Sequence, residues 1–284
     1  MEGSDIRSAL LVFAALACLH CGGGDDDTAA APRTPVQIDF AFEINGEPFA
    51  CGAEYAGVGD PATDFRAVDA RFYVHDVELI DASGAAHPLA LAENAHQSDG
   101  LALLDFEDGC GPDGSPETNT LLIGSVASGD HRGIRFTLGV PPERNHIDLA
   151  TAKAPLDVTG MFWTWQNGFK FFKVDGSSPA QGGGINPFLL HVGSSGCSGE
   201  NSSEPPPEPC ALPNRVSYEL DGFTPGQSTI VAELGELFAT TDLAFNTDGT
   251  APGCMSEPDD PECLTLLPRM GIDDAASQLL FSVD

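Results

Sequence analysis

Met161-Phe-Trp-Thr-Trp-Gln-Asn-Gly-Phe-Lys-Phe-Phe-Lys-Val174 alternates apolar and aromatic residues on both sides of Asn167-Gly168. A period of two is the strand signature, and Asn-Gly is the strongest two-residue hairpin signal. The stretch reads as a β-hairpin. A two-residue turn pairs Gln166 with Phe169, Trp165 with Lys170, Thr164 with Phe171 and Trp163 with Phe172. That register predicts Trp163, Trp165, Lys170 and Phe172 on one face, and Phe162, Thr164, Phe169 and Phe171 on the other. With aromatics on both faces, one side fills a core while the other needs a cover or a role. Trp163 and Trp165 are the only tryptophans of the chain. They read either as packing residues, with Lys170 over Trp165 as a cation–π pair, or as an oxidisable spot at a site.

The same alternation extends outward. Val36, Ile38, Phe40, Phe42 and Ile44 alternate ahead of Asn45-Gly46, a second strand-to-turn signal. Further strands are predicted over 71–80, 101–106, 120–123, 133–140, 188–192, 215–220, 228–233 and 278–283. Only 233–239 and 264–270 look helical, and no long amphipathic crossover separates the strands. The pattern predicts an all-β protein, an antiparallel β-sandwich with long polar loops, as a single domain over 36–284.

The 12 Lys and Arg against 43 Asp and Glu give a formal net charge of -31. Such a chain repels nucleic acid and anionic headgroups, which excludes a nucleic-acid partner, while favouring cations or a basic protein. Residues 1–21 read as a lipoprotein-type signal peptide: Arg7, the apolar run from Ala9 to Ala17, then Cys18 and Cys21. Cys18 follows the better small residue, and Cys21 precedes the better tether, the Gly/Asp/Ala-rich segment 22–35. Lipidation of Cys18 or Cys21 predicts an exported protein held at a membrane by its lipid, in the periplasm or at the outer membrane or cell surface. A cleaved secretion signal is the alternative.

Six cysteines remain beyond the leader: Cys51, Cys110, Cys197, Cys210, Cys254 and Cys263. An even set in an exported chain favours disulfides, and no Cys-x-x-Cys supports a zinc ribbon or redox motif. Proximity pairs Cys197 with Cys210 and Cys254 with Cys263, which leaves Cys51 for Cys110.

No His-Glu-x-x-His, nucleophile elbow or phosphate-binding glycine loop is present. His191 ends the apolar run Phe188-Leu-Leu and opens Val-Gly-Ser-Ser-Gly-Cys197, a placement suited to a rigid ligand. His146 follows Gly139-Val-Pro-Pro-Glu-Arg-Asn145 just beyond another strand. Each also reads as an ordinary loop histidine, and imidazole alone does not name a metal. His75 and His131 are the reserves.

Arg71-Phe-Tyr-Val74, Leu103-Leu-Asp-Phe-Glu107, Gly133-Ile-Arg-Phe-Thr-Leu-Gly-Val-Pro141, Asn145-His146, the Trp-x-Trp hairpin and His191-Val-Gly-Ser-Ser-Gly-Cys197 together resemble the MbnP family of copper-binding proteins, also called metallo-mystery pair four-Cys motif proteins. The resemblance runs from about Val36 to Met270, and it departs at Phe169, where the family has tyrosine. It implies a non-enzymatic copper protein in which Trp163 is oxidised to kynurenine by a partner MauG-like dihaem cytochrome c peroxidase. It further implies a single copper site, as Cu(I), held by the modified Trp163 with His146 and His191, and a role in copper homeostasis. Opening the indole yields an aryl amine and a ketone, new nitrogen and oxygen donors where there was only an N–H.

A competing reading is a carbohydrate- or surface-binding β-sandwich. In it Trp163 and Trp165 form an exposed stacking platform, and the acidic loop Asp108 to Glu117 offers a calcium site. A metal-dependent hydrolase ranks below both, since no ligand cluster adjoins a general base.

Overall fold

The computed structural model describes residues 32–111, 114–257 and 259–284. The signal peptide with Cys18 and Cys21, and most of the tether, lie outside the described residues. Residues 32–284 form one compact unit. The first half of the chain builds β1 (Arg33–Ile44), β2 (Glu47–Pro48), β3 (Glu54–Val58), β4 (Thr63–Asp81), β5 (Ala86–Pro88), β6 (Ala90–Leu91), β7 (Gln97–Ser98), β8 (Leu101–Asp105), β9 (Leu121–Ala127) and β10 (His131–Leu138). After the short helix α1 (Pro142–Asn145) come β11 (Phe162–Thr164), β12 (Gly168–Pro179), β13 (Ile185–Gly193), β14 (Val216–Asp221), β15 (Thr229–Glu233), helices α2 (Leu234–Phe238) and α3 (Cys263–Arg269), and β16 (Phe281–Val283).

These strands form two sheets, and the protein is an all-β sandwich. The smaller sheet runs β16-β15-β1-β9-β6, and the larger runs β11-β12-β4-β10-β14 with β13 beside β12 and β8 beside β4. Pairing is antiparallel except between β1 and β15, which run parallel. The first strand starts at Arg33, ahead of the expected boundary at Val36, because Arg33 to Pro35 already pair with Ser125 to Ala127.

Alternation explains the core. Ile38, Phe40, Phe42 and Ile44 of β1 meet Phe72, Val74, Phe172, Val174, Leu190 and Val192 of the larger sheet, all buried. Phe72 sits at the centre, stacked on Phe106 and Phe172 and edge-on to Phe40 and Phe281. In β4 the alternation slips twice, between Ala67 and Ala70, where Asp69 and Ala67 face the consecutive Asp175 and Gly176 of β12, and between His75 and Glu78, where Asp76 adopts a φ of 50°. The second bulge keeps Val74, Val77 and Leu79 all inward.

The opposite face of the larger sheet is also covered. Segment 140–162 folds over it, so that Val140, Leu156 and Met161 pack on Tyr73, Leu101, Leu103, Phe169 and Phe171. That is the cover which the second aromatic face of the hairpin required. Disulfides Cys51–Cys110, Cys197–Cys210 and Cys254–Cys263, the pairs that proximity suggested, tie down the loops. No helix among the described residues is long and apolar enough to cross a membrane.

Candidate metal centre

The hairpin does not take the two-residue Asn-Gly register. Thr164 pairs with Gly168 and Phe162 with Phe169, so Trp165, Gln166 and Asn167 form a three-residue connection. The cause is Asn145. Its Oδ1 accepts the Phe169 amide at 3.0 Å, and Gly168, at φ +80°, presses so close that a Cβ there would come within 2.5 Å of Asn145. Thr164 Oγ1 closes the turn by accepting the Asn167 amide at 3.0 Å. A long-range clamp has overridden the local turn preference.

The shared face expected for Trp163 and Trp165 is therefore lost. Trp165 lies in the turn, and its Nε1 donates to the His146 carbonyl at 2.7 Å. Lys170 is buried, with Nζ donating to the Gly160 carbonyl at 2.9 Å, while Phe172 belongs to the sandwich core. The two indoles go to different places, so they form no common stacking platform.

Trp163 goes to His191. Their ring centroids are 6.5 Å apart, with the rings tilted by 48°. The indole lies on Gly193, two residues along the same strand face, where a Cβ would stand 2.4 Å from Trp163 Cζ3. Only glycine admits the ring there. Trp163 also lines a cleft of 510 Å³ together with Ser194, Cys197 and Met255.

Three neighbours fix the backbone from His191 to Gly193. Ser256, fully buried, donates its hydroxyl to the His191 carbonyl at 2.9 Å and accepts the Gly193 amide at 3.0 Å. Asn214 Nδ2 donates to the Gly193 carbonyl at 2.8 Å. The Cys254 carbonyl accepts the His191 amide at 2.9 Å, so the Cys254–Cys263 loop braces the strand at the histidine.

The imidazole of His191 is set by charge. Its Nε2 lies 2.5 Å from Asp175 Oδ1, and Asp175 Oδ2 lies 3.2 Å from Lys173 Nζ. Lys173 Nζ is also 2.6 Å from Asp69, which in turn holds Arg71 through Nε at 2.8 Å and through a second guanidinium nitrogen. Sheet pairing places Lys173 beside both Arg71 and His191, so the row crosses β4, β12 and β13 on the face away from the sandwich core. Burial pushes His191 below the usual histidine range, against the pull of Asp175, which leaves a neutral imidazole. Burial pushes Asp175 up, but the bond to His191 and the charge of Lys173 overcome it and hold the carboxyl at about 2.

His146 stands on the other side of the hairpin tip. Its Nδ1 is 3.3 Å from the Trp165 carbonyl, and its Nε2 is 3.1 Å from Asn145 Nδ2 and 3.5 Å from Cys210 Sγ. Burial lowers its pKa, opposed by the bond to Trp165. It faces a cleft of 380 Å³ shared with Ser194, Cys210 and Arg215. Ser194 and the Cys197–Cys210 disulfide separate this cleft from that of Trp163. Among the described residues, no hydrogen bond or ring contact joins His146 to Trp163 or His191.

The reserves go elsewhere. His131 stacks edge-on to His87 at 5.3 Å, with Nε2 on the Ala127 carbonyl, and His75 is buried beside Asp76. Among the described residues the groups of three close donors are His146 with Cys197 and Cys210, and Glu107 with Cys51 and Cys110. Both contain a disulfide, so each offers one free donor. Glu107 moreover spends its carboxylate on the amides of Gly109, Gly111 and Ser115, and the acidic loop gathers no calcium cluster among the described residues. One buried and one half-buried imidazole, with a cleft edged by a thioether, suit a soft ion better than an oxygen-seeking one.

Sequence reasoning missed Asp175, Asn214 and Ser256, and gave no role to Gly193 and Asn145, although both stand in motifs of the family. Asp175 had a signal: Lys173 and Asp175 alternate with Phe172 and Val174 in an otherwise apolar strand, a pattern that demands buried partners.

The family model described as MbnP matches residues 33–256. A solved structure, MbnP from Methylosinus trichosporium, is similar with 31% identity and a TM-score of 0.78, covering 89% of this chain and 98% of that one. None of the curated proteins matches the chain. A fold shared over this length, with a family match spanning both the hairpin and the His191 strand, places the sequence: the chain belongs to the MbnP family.

Proposed function

We propose that this protein is an exported copper-binding protein whose site is completed by oxidation of Trp163 to kynurenine. Family membership supports a metal-binding role. The observation that carries the finer reading is the seating of Trp163 on Gly193, 6.5 Å ring to ring from His191, in the wall of an open cleft. A residue set against an imidazole in the wall of an open cleft supports both modification and later ligation. His191 supplies one imidazole nitrogen, the aryl amine and ketone of the opened Trp163 ring supply further donors, and His146, which starts in the neighbouring cleft, must close past Ser194 to supply the second imidazole. Bound copper is Cu(I), in a single site, and the protein serves copper homeostasis by binding rather than by catalysis.

The oxidant is a partner MauG-like dihaem peroxidase. Trp165, fixed by its bond to the His146 carbonyl, stays unmodified and holds the hairpin tip to the His146 segment. The leader implies a lipid anchor at Cys18 or Cys21, which keeps the site outside the cytoplasm. The test is a Cu(I) competition titration of protein co-produced with such a peroxidase. Wild type binds copper, whereas Trp163→Phe and His191→Ala lose most of the affinity. A Trp163→Phe variant that binds as tightly as wild type contradicts the kynurenine site.

A further inference from the structure

Five charged or polar side chains, Arg71, Asp69, Lys173, Asp175 and His191, lie in one row across three strands, and the four beyond Asp175 are almost wholly buried. Burying so many ionic groups is costly and rarely improves stability over apolar packing, so their retention asks for another purpose. The row ends on the histidine beside Trp163. Asp175 is pinned twice: Oδ2 faces the Lys173 ammonium, and Oδ1 is left to His191 Nε2 at 2.5 Å. An ionised carboxylate can only accept, so Nε2 must carry the proton. The row behind it keeps that carboxylate ionised and still, because Lys173 is shared with Asp69, and Asp69 is held by two nitrogens of Arg71.

We infer that this row fixes His191 as its Nε2–H tautomer, so that Nδ1 is the nitrogen His191 offers to a metal, with Asp175 as the positioning residue. The inference rests on the copper reading above for the identity of the metal, while the tautomer itself is a property of the metal-free protein. A carboxylate behind a ligating histidine sets both the tautomer and the ring orientation, and its loss commonly costs 10–100-fold in metal affinity. His191 Nδ1 has no hydrogen-bond partner among the described residues, in contrast to His146, whose two nitrogens both face neighbours.

Asp175→Asn separates the roles. The remaining Lys173 ammonium draws the new amide oxygen, which turns the amide NH2 toward His191 Nε2 and forces the proton onto Nδ1. The experiment records 15N–1H imidazole correlations of the metal-free protein, then Cu(I) affinity by competition, for wild type, Asp175→Asn, Asp175→Leu and His191→Ala. Wild type shows the Nε2–H pattern at His191. Asp175→Asn shows the Nδ1–H pattern, with copper affinity reduced by roughly 10–100-fold. Asp175→Leu, which removes the acceptor without supplying a donor, shows a mixture of tautomers. An Nδ1–H tautomer in wild type, or an unchanged tautomer and affinity in Asp175→Asn, overturns the inference. Copper affinity unchanged in His191→Ala overturns the functional reading instead, and the spectra of metal-free wild type still decide whether the row sets the tautomer.

Discussion

Trp163 and Trp165 stand one residue apart, yet one rests on a charged, buried row and the other on a hairpin tip held by backbone carbonyls. The Trp163 half is built from sheet pairing: His191, Asp175, Lys173, Asp69 and Arg71 come from three adjacent strands, and Gly193 leaves the gap in which the indole lies. The Trp165 half is built from one loop gripping another, through Asn145 and His146. A ligand nitrogen on the first half is fixed in direction before any metal arrives. On the second half His146 leans on a carbonyl and an amide, beside a disulfide. The difference assigns rigid preorganisation to His191 and adaptable closure to His146.

The comparison breaks most sharply at Asp69. Replacing it with Ala removes the carboxylate shared by Lys173 and Arg71, and removing one partner from a buried ionic cluster costs about 3–5 kcal/mol. Urea unfolding should show that loss. A loss below about 1 kcal/mol would mean that water reaches the row, and the rigid half would then be no stiffer than the other.

Gly193→Ala comes next. The added methyl meets the Trp163 ring, and such overpacking costs about 1–3 kcal/mol while pushing the indole off His191. Tryptophan fluorescence and Cu(I) affinity should both change. Unchanged affinity would sever the link between indole seating and binding.

The charged half also predicts a pH dependence. Burial raises Asp105, paired with Arg71 across β4 and β8, to about 7, although the charge of Arg71 works the other way. A carboxyl with a higher pKa folded than unfolded binds its proton more tightly when folded. Its favourable contribution is thus present below the ordinary carboxylate range and is lost as pH rises from about 4 to about 7. Stability measured from about pH 5 to 8 should fall by an amount on the order of 1–3 kcal/mol, and Asp105→Asn should flatten the slope. A wild-type stability that rises over this range contradicts the assignment.

Much of this was legible in the sequence because large apolar residues alternate: every predicted strand overlaps one in the structure. β3 and the first half of β4 were not legible, since their buried positions include Ala67 and Ala70, which carry little hydrophobic signal, and charged residues lie between them. Within the site, Trp163 and His191 announced themselves by type and position. The hairpin register did not, because Asn145 is far away in sequence and reaches the turn only through the fold. Asp175 is 16 residues from His191, and only strand pairing brings its carboxylate to the imidazole.

Trp165→Phe is the smallest expected effect. It deletes one hydrogen bond, to the His146 carbonyl, worth about 1 kcal/mol, and leaves the Trp163 seat intact. Copper affinity should fall only slightly, as the His146 side loosens.

Peptide mass spectrometry with copper analysis, on protein isolated from its own host, decides whether Trp163 becomes the ligand. The expected result is kynurenine at Trp163, intact tryptophan at Trp165 and a single copper per chain. Copper-loaded protein with Trp163 intact, or with the modification at Trp165, would contradict it.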